Sequence, residues 1–158
     1  MIHHHAQALV MTAMAPSHGA GPQLQLLAAR ITNAQHDEIA LMQQWLRDRS
    51  EPVPAADATH LRMTMNGMEH DMIMPGMLNE QELAGLRNSR GQEFDRLFLT
   101  YMIQHHRGAV SMVDDLFATD GAAQDEAAFK LASDIHVDQL TEIARMRLML
   151  RDLADSGS

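Results

Sequence analysis

Two short segments of the chain carry methionine and paired histidines at the same spacing. One runs from Met1 to His5 and the other from Met102 to His106, and a further methionine follows each segment, Met11 in the first case and Met112 in the second. Imidazole nitrogen and thioether sulfur are ligands for soft metal ions such as copper(I). The chain has no cysteine, which excludes disulfides, thiolate zinc sites and cysteine nucleophiles.

A third segment is rich in the same two residue types. Methionine occurs 14 times in the chain and histidine 10 times, and a dense cluster lies around Gly67 and the Pro75-Gly76 pair. A lone methionine is usually core filler, but so many in a segment broken by Gly and Pro favour copper(I) binding; a hydrophobic cap on the fold or a partner-binding patch is the alternative. The candidate ligands of this segment are His60, Met63, Met65, Met68, His70, Met72, Met74 and Met77.

The chain contains an internal repeat. The first segment aligns with the second at an offset of 101 residues, which places His4 and His5 on His105 and His106. Further along, the offset is 104 residues, with Gln35 aligned on Gln139, and the change falls in a connection near residues 118–123. Matches that keep register and shift only at a loop indicate an internal duplication. The histidine run at residues 3–5 is therefore interpreted as native sequence rather than an expression tag.

Each copy is predicted to form two helices. Pro and Gly residues bound the long periodic segments, which predicts helices over residues 1–15, 22–49, 93–117 and 124–153. We predict a single all-α domain, a ferritin-like four-helix bundle, in which residues 1–49 form the first helical hairpin, 50–92 a methionine-rich crossover and 93–153 the second hairpin. The first copy has no counterpart of Phe94, Phe98 and Leu99, so we expect a natural N-terminal piece to be missing from this sequence.

The second helix of each copy places polar residues on its predicted core face. Gln35 and Glu38 lie on one apolar stripe, and Gln139 and Glu142 lie at the aligned positions of the other. A buried carboxylate is costly unless it is paired, and the histidines of the first helices are the expected partners. Two interpretations remain: a structural His–Glu network, or a metal site in which these four residues orient the ligands.

Several classes of function are disfavoured. The net charge of −9 gives no electrostatic basis for binding nucleic acid or an anionic membrane. No apolar stretch reaches the 18 residues of a membrane span. No signal peptide is visible, but with an N-terminal piece expected to be missing this carries no information about export. No Glu-x-x-His motif of the kind used by di-iron carboxylate bundles occurs, so iron or manganese chemistry is poorly supported.

The sequence also resembles a known family. The run Asp95-x-x-Phe98-Leu99-x-x-Met102-Ile103-x-His105-His106, the block from Leu131 to Met146 and the Met74–Met77 linker are similar to the DUF305 family. The resemblance implies a ferritin-like helical fold, export to the periplasm or cell exterior, and copper binding or resistance in some members. The ligands it implies by position are Met102, His105, His106 and Met112 in the second copy, and Met1, His4, His5 and Met11 in the first, which lacks the Asp-x-x-Phe-Leu block.

The sequence thus predicts a non-enzymatic, copper(I)-binding protein of the cell envelope that sequesters or transfers copper, or supports copper resistance. Silver and zinc are the other candidate ions, and a copper-exporting or copper-accepting protein is the expected partner. One alternative is a ferritin-like metalloenzyme that uses iron or manganese. Another is a structural module whose methionine-rich segment docks a partner.

Overall fold

Four long helices form the body of the protein in a computed structural model, which describes residues 1–59, 61–65 and 68–156, with side chains described for 1–59 and 72–155. No helix among these residues combines the length and hydropathy needed to cross a lipid bilayer. In chain order the elements are α1 (Ile2–Thr12), a 3₁₀ turn (Ala15–Ser17), α2 (Pro22–Arg47), β1 (Leu61–Met65), β2 (Met68–Met72), α3 (Glu80–Asn88), α4 (Gly91–Ala118) and α5 (Glu126–Ser156).

The bundle is made of two helical hairpins that pack against each other. Helix α1 packs on α2 and α4 on α5, while α1 also contacts α4 and α2 contacts α5. Pro22 occupies the first turn of α2, where its missing N–H costs nothing. The four helices confirm the predicted all-α fold class, and their bounds lie within a few residues of those predicted.

The crossover is more ordered than the loop that the sequence predicted. Strands β1 and β2 pair antiparallel, with Met65 opposite Met68 and Met63 opposite His70. The Asn66-Gly67 pair between them in the sequence is a strong hairpin signal. The hairpin was not predicted, because this segment was interpreted from its methionines alone. Helix α3 follows and begins with a capping box, in which Asn79 accepts from the Glu82 amide and Glu82 accepts from the Asn79 amide, each at 2.9 Å.

The main hydrophobic core lies toward one end of the bundle. There, fully buried Phe94 and Phe98 of α4 pack with aliphatic and methionine side chains from the other long helices. A smaller cluster of Val113, Ala132 and Ile135 lies apart from it. Between the two clusters, buried polar side chains fill the middle of the bundle.

The end of the crossover is clamped between α1 and α4. Gln7 on α1 donates from its amide to the Leu78 carbonyl at 2.9 Å and accepts from the Leu78 amide at 2.7 Å. On the other side, the Pro75-Gly76 backbone lies directly on Gly108 of α4, and Gly76 adopts a positive φ of 77°. Gln7 and Gly108 are aligned positions of the two copies. The first copy holds the segment with side-chain hydrogen bonds, and the second holds it because glycine has no side chain to keep the segment away.

We predict that Gly108→Ala destabilises the fold by about 2 kcal/mol or more, because a Cβ there would lie 1.8 Å from the Pro75 carbonyl oxygen. Gly85→Ala in α3 is the matched control. Its Cβ would meet only the Tyr101 hydroxyl at 4.0 Å, so replacing a helical glycine should stabilise by about 0.5–1 kcal/mol. Urea unfolding of both variants checks the opposite signs, and equal unfolding midpoints would contradict the clamp.

Candidate metal centre

Four histidines occupy the middle of the bundle. His4 and His5 lie on α1, His105 and His106 lie on α4, and all four are 0% exposed. The rings of His4 and His105 are in contact across the two helices, with centroids 3.7 Å apart and planes tilted by 33°. Within each helix the adjacent imidazoles are 6.3 Å apart. The predicted inward orientation of both histidine pairs is therefore confirmed.

The outer histidine of each pair contacts a glutamate of the neighbouring helix. His5 Nε2 lies 2.7 Å from Glu38 Oε2, and His106 Nε2 lies 2.6 Å from Glu142 Oε2. These are the aligned His–Glu partners that the core stripes predicted, and each joins the two helices of one hairpin. In both contacts the glutamate occupies Nε2, so Nδ1 is the second nitrogen of the ring.

The inner histidines contact backbone carbonyls instead. His4 Nε2 donates to the Pro75 carbonyl at 3.0 Å, and His105 Nε2 donates to the His4 carbonyl, also at 3.0 Å. The Pro75 contact could not be predicted from the sequence, because every residue has a backbone carbonyl and no residue type marks the one that accepts this hydrogen bond. Both bonds fix the tautomer in which Nδ1 is the unprotonated nitrogen.

The second nitrogen of each ring, Nδ1, takes no part in these contacts. None of the four has a hydrogen-bond partner in the described part of the chain, although all four are buried. The side-chain oxygens of Gln35 and Gln139, which lie at aligned positions, are buried and unpaired in the same way. Each unpaired buried polar group costs about 1–3 kcal/mol. The middle of the bundle therefore collects acceptors that a cation could satisfy.

Burial sets the protonation of this centre. Desolvation lowers the pKa of His4 and of His5 to about 3, and the nearby imidazoles and N-terminal amine add to the effect. Desolvation likewise lowers the pKa of His105 well below 6.5. The pKa of Glu38 rises to about 8, first because of burial and then because of the carboxylates of Asp138 and Glu142. Burial thus keeps the imidazoles of His4, His5 and His105 in the neutral form.

The methionines expected beside the histidines divide into two groups. Met11 and Met102 are fully buried in the main hydrophobic core. Met1 and Met112 instead line a cavity of about 610 Å³ at the other end of the bundle, together with Met42. The structure therefore separates the methionines of each predicted set, because ten residues of α-helix span about 15 Å. The opposite directions of α1 and α4 bring Met1 of one copy to Met112 of the other.

Only part of the methionine-rich segment has described side chains. Those of His60, Met63, Met65, Met68 and His70, all predicted ligands, lie outside the described residues. The three remaining predicted ligands range from exposed to buried and lie around the Pro75 turn that His4 contacts; they are Met72, Met74 and Met77.

The histidines do not converge on one point in the manner of a preformed zinc site. Among the described residues, no three histidine or carboxylate side chains are grouped closely enough to hold a metal ion. A site built from these residues must therefore combine imidazole with thioether sulfur, or form when the rings adjust to a bound ion. Both arrangements suit a soft ion with low coordination demands.

We predict that the metal-free protein loses stability on the order of 3 kcal/mol between pH 7 and pH 5. The unfolded chain protonates histidine below about pH 6.5, whereas buried His4, His5 and His105 stay neutral, which costs roughly 2 kcal/mol each by pH 5. Glu38 opposes this trend, because its raised pKa destabilises the fold as pH rises from about 4.5 to 8.

Urea unfolding at pH 7, 6 and 5 measures this dependence. The variant Glu38→Gln removes the opposing contribution, so its stability should fall more steeply with acid than that of the unmodified protein. The matched control is His36→Gln, which replaces a histidine on the surface and leaves the buried rings in place. A midpoint independent of pH in this range would mean that the imidazoles are not buried in their neutral form.

The fold has counterparts among solved structures. A candidate secreted DUF305 protein from Streptomyces coelicolor is 26% identical with a TM-score of 0.77, over 96% of this chain and 87% of that one. A DUF305 fragment from Deinococcus radiodurans is 28% identical with a TM-score of 0.76, over 96% and 91%. No curated protein is significantly similar.

A third counterpart is CopM, whose copper(I)-bound form is 29% identical to this chain, with a TM-score of 0.71 over 96% of this chain and 91% of CopM. CopM is also solved in copper(II)-bound and silver-bound forms. The sequence model of DUF305, a domain of unknown function, matches residues 1–150. The match extends over nearly all of the residues that build the bundle and its buried histidines, and this chain therefore belongs to the DUF305 family.

Proposed function

We propose that this protein binds copper(I), holding it for sequestration or transfer rather than for catalysis. The observation that carries the proposal is the set of four buried imidazoles, each with an unpaired Nδ1 atom. Native proteins leave few buried polar atoms unpaired. A cluster of unpaired acceptors at aligned positions of two helical hairpins is what a bound cation would satisfy.

The chemistry of the donors favours a soft ion. The chain offers imidazole nitrogen and thioether sulfur and has no thiolate, and these donors suit copper(I) more than magnesium, calcium or manganese. Glu38 and Glu142 contact the far nitrogens of His5 and His106, as carboxylates commonly do behind metal-bound histidines. Silver(I) has the same preferences and serves as a stable substitute in experiments.

The comparison with CopM supports the same choice of ion. CopM is solved with copper(I), copper(II) and silver, and it shares the helical bundle over almost the whole chain. We extend metal binding to this protein because the buried histidines lie on the shared helices. The location outside the cytoplasm and a copper-delivering or copper-accepting partner are parts of this proposal, in line with the description of the Streptomyces relative as a candidate secreted protein.

We predict that titration with copper(I), in anaerobic competition with a chromophoric chelator, shows binding that depends on the central histidines. The double variant His4→Gln, His105→Gln removes two of the unpaired Nδ1 atoms and should weaken binding at least about tenfold. The matched control changes His36 and His136, which lie at the surface, to Gln. Equal affinity in the two double variants would exclude the central histidines as ligands.

A second variant tests how much of the metal binding depends on the methionine-rich segment. Changing Met63, Met65 and Met68 to Leu keeps side-chain volume nearly constant but removes sulfur. If this segment contributes a site of its own, the triple variant loses binding equivalents while the histidine-dependent affinity stays. If the unmodified protein fails to compete with the chelator at all, the proposed function is wrong. Metal analysis after purification without added metal would then test iron and manganese.

A further inference from the structure

The outer face of α5 carries an apolar stripe. Its four large side chains are 46–61% exposed, and two small residues lie between them. The six positions follow one another at steps of four, four, three, four and four, which keeps them on one face of the helix over about 28 Å. They are Phe129, Ser133, Val137, Leu140, Ala144 and Leu148. A surface helix normally carries polar residues on this face, so a stripe of this length indicates an interaction surface.

The aligned face of α2 shows the same positions without a stripe. At an offset of 104 residues they are Gln25, Ala29, Asn33, His36, Ala40 and Gln44, and all six are exposed. The large apolar side chains that α2 does expose are Leu26 and Leu41, which lie about four turns apart. The fold therefore does not require large apolar residues at these positions, and α5 carries them for another reason.

The packing of the bundle leaves this face open. In the second copy, Phe94 and Phe98 of α4 belong to one buried cluster with Leu24 and Leu27, on the inner face of α2. The outer face of α2 stays exposed beside them. Residues at the corresponding place before α1 would by the same geometry lie over the inner face of α5. The outer stripe is thus left to a separate molecule.

The spacing of the stripe is the same in both directions, which suits a second copy of this chain. A two-fold axis level with the midpoint between Val137 and Leu140 runs two α5 helices antiparallel, with each copy presenting the same surface to the other. The positions that then lie level across the axis are Val137 with Leu140, Phe129 with Leu148, and Ser133 with Ala144. Large side chains meet large ones, and the small pair between them lets the two helices approach closely.

The charges beside the stripe favour the antiparallel arrangement. Acidic Glu126 and Asp134 lie near its first half, and basic Arg145 and Arg151 lie near its second half. In the antiparallel pair, Glu126 is level with Arg151 of the second copy, and Asp134 lies within about half a turn of Arg145. A parallel pair would place each charge beside its own counterpart, and like charges facing each other disfavour association. Lys130 is an exception in the acidic half, and it pairs with Asp134 within the helix.

We infer that this protein associates with a second copy of itself through the outer face of α5, as an antiparallel dimer. The inference goes beyond the proposed function, because none of the predicted metal ligands lies on the stripe. Each copy keeps its own buried histidines. One pair of helices in contact over about 28 Å forms a small interface, so we expect a dissociation constant on the order of 10–100 μM.

The experiment is sedimentation velocity of the full chain, kept metal-free with a chelator, from about 1 to about 500 μM. We expect the sedimentation coefficient to rise from that of a monomer toward that of a dimer. The double variant Val137→Asn, Leu148→Gln introduces the residues that α2 carries at the aligned positions, and it should weaken dimerisation at least about tenfold. The matched control is Leu26→Gln, Leu41→Gln, which changes side chains of similar exposure on α2 and should leave dimerisation unaltered.

Cross-linking tests the orientation of the two helices. The chain has no cysteine, so the double variant Ser133→Cys, Ala144→Cys introduces the only thiols, and mild oxidation should yield covalent dimers. The single variant Ser133→Cys should yield few, because an antiparallel pair separates the two copies of this position by about 16 Å. The charge reversal Glu126→Arg should weaken the dimer, and Arg151→Glu in the same chain should restore it.

Several outcomes would overturn the inference. They are a monomer at every concentration, equal weakening by the α2 control, and efficient cross-linking of the single Ser133 variant. If the chain stays monomeric but sediments with phosphatidylglycerol vesicles only when the stripe is intact, the face binds a lipid surface and not a second copy. Copper binding by the buried histidines is measured separately and stands in each of these cases.

Discussion

Four imidazoles enclosed in the middle of a helical bundle impose the main constraint on this structure. A buried neutral ring has one nitrogen that donates and one that accepts, and burial without partners is costly for both. Here Nε2 of His5 lies against Glu38 and Nε2 of His4 donates to the Pro75 carbonyl, whereas the Nδ1 atoms have no partner among the described residues. The fold is thus stabilised by one nitrogen of each ring and leaves the other available to a cation.

The crossover makes two similar hairpins unequal. Gln7 bonds the Leu78 backbone with its amide, whereas the aligned Gly108 has no side chain, so the Pro75-Gly76 backbone can lie against α4. His4 donates to the crossover, whereas the aligned His105 donates to the backbone of α1. The hydrogen bond from His4 to the Pro75 carbonyl thus connects the methionine-rich segment to the stacked histidine pair.

The sequence predicted the bundle and its centre because both follow from periodicity. Glu38 and its aligned partner lie on an otherwise apolar stripe, and a buried carboxylate opposite paired histidines leaves few arrangements other than the contacts observed. The Asn66-Gly67 hairpin was missed although its signal is local. The separation of Met102 from Met112 follows from ten residues of one helix, about 15 Å, and was overlooked. The proximity of Met1 to Met112 could not be predicted, because it depends on the opposite directions of α1 and α4, which no spacing within one helix encodes.

The contrast between the two ends of the bundle follows from the same physics as its centre. Methionine is apolar enough to be core filler and soft enough to bind copper(I), and its surroundings decide between the two. Where Phe94 and Phe98 cover Met11 and Met102, packing fills the space and the sulfur atoms act as core. Met112 instead lines a cavity at the other end of the bundle. The same side chain at an aligned position thus has different surroundings in the two hairpins, a packed core in one and a cavity wall in the other.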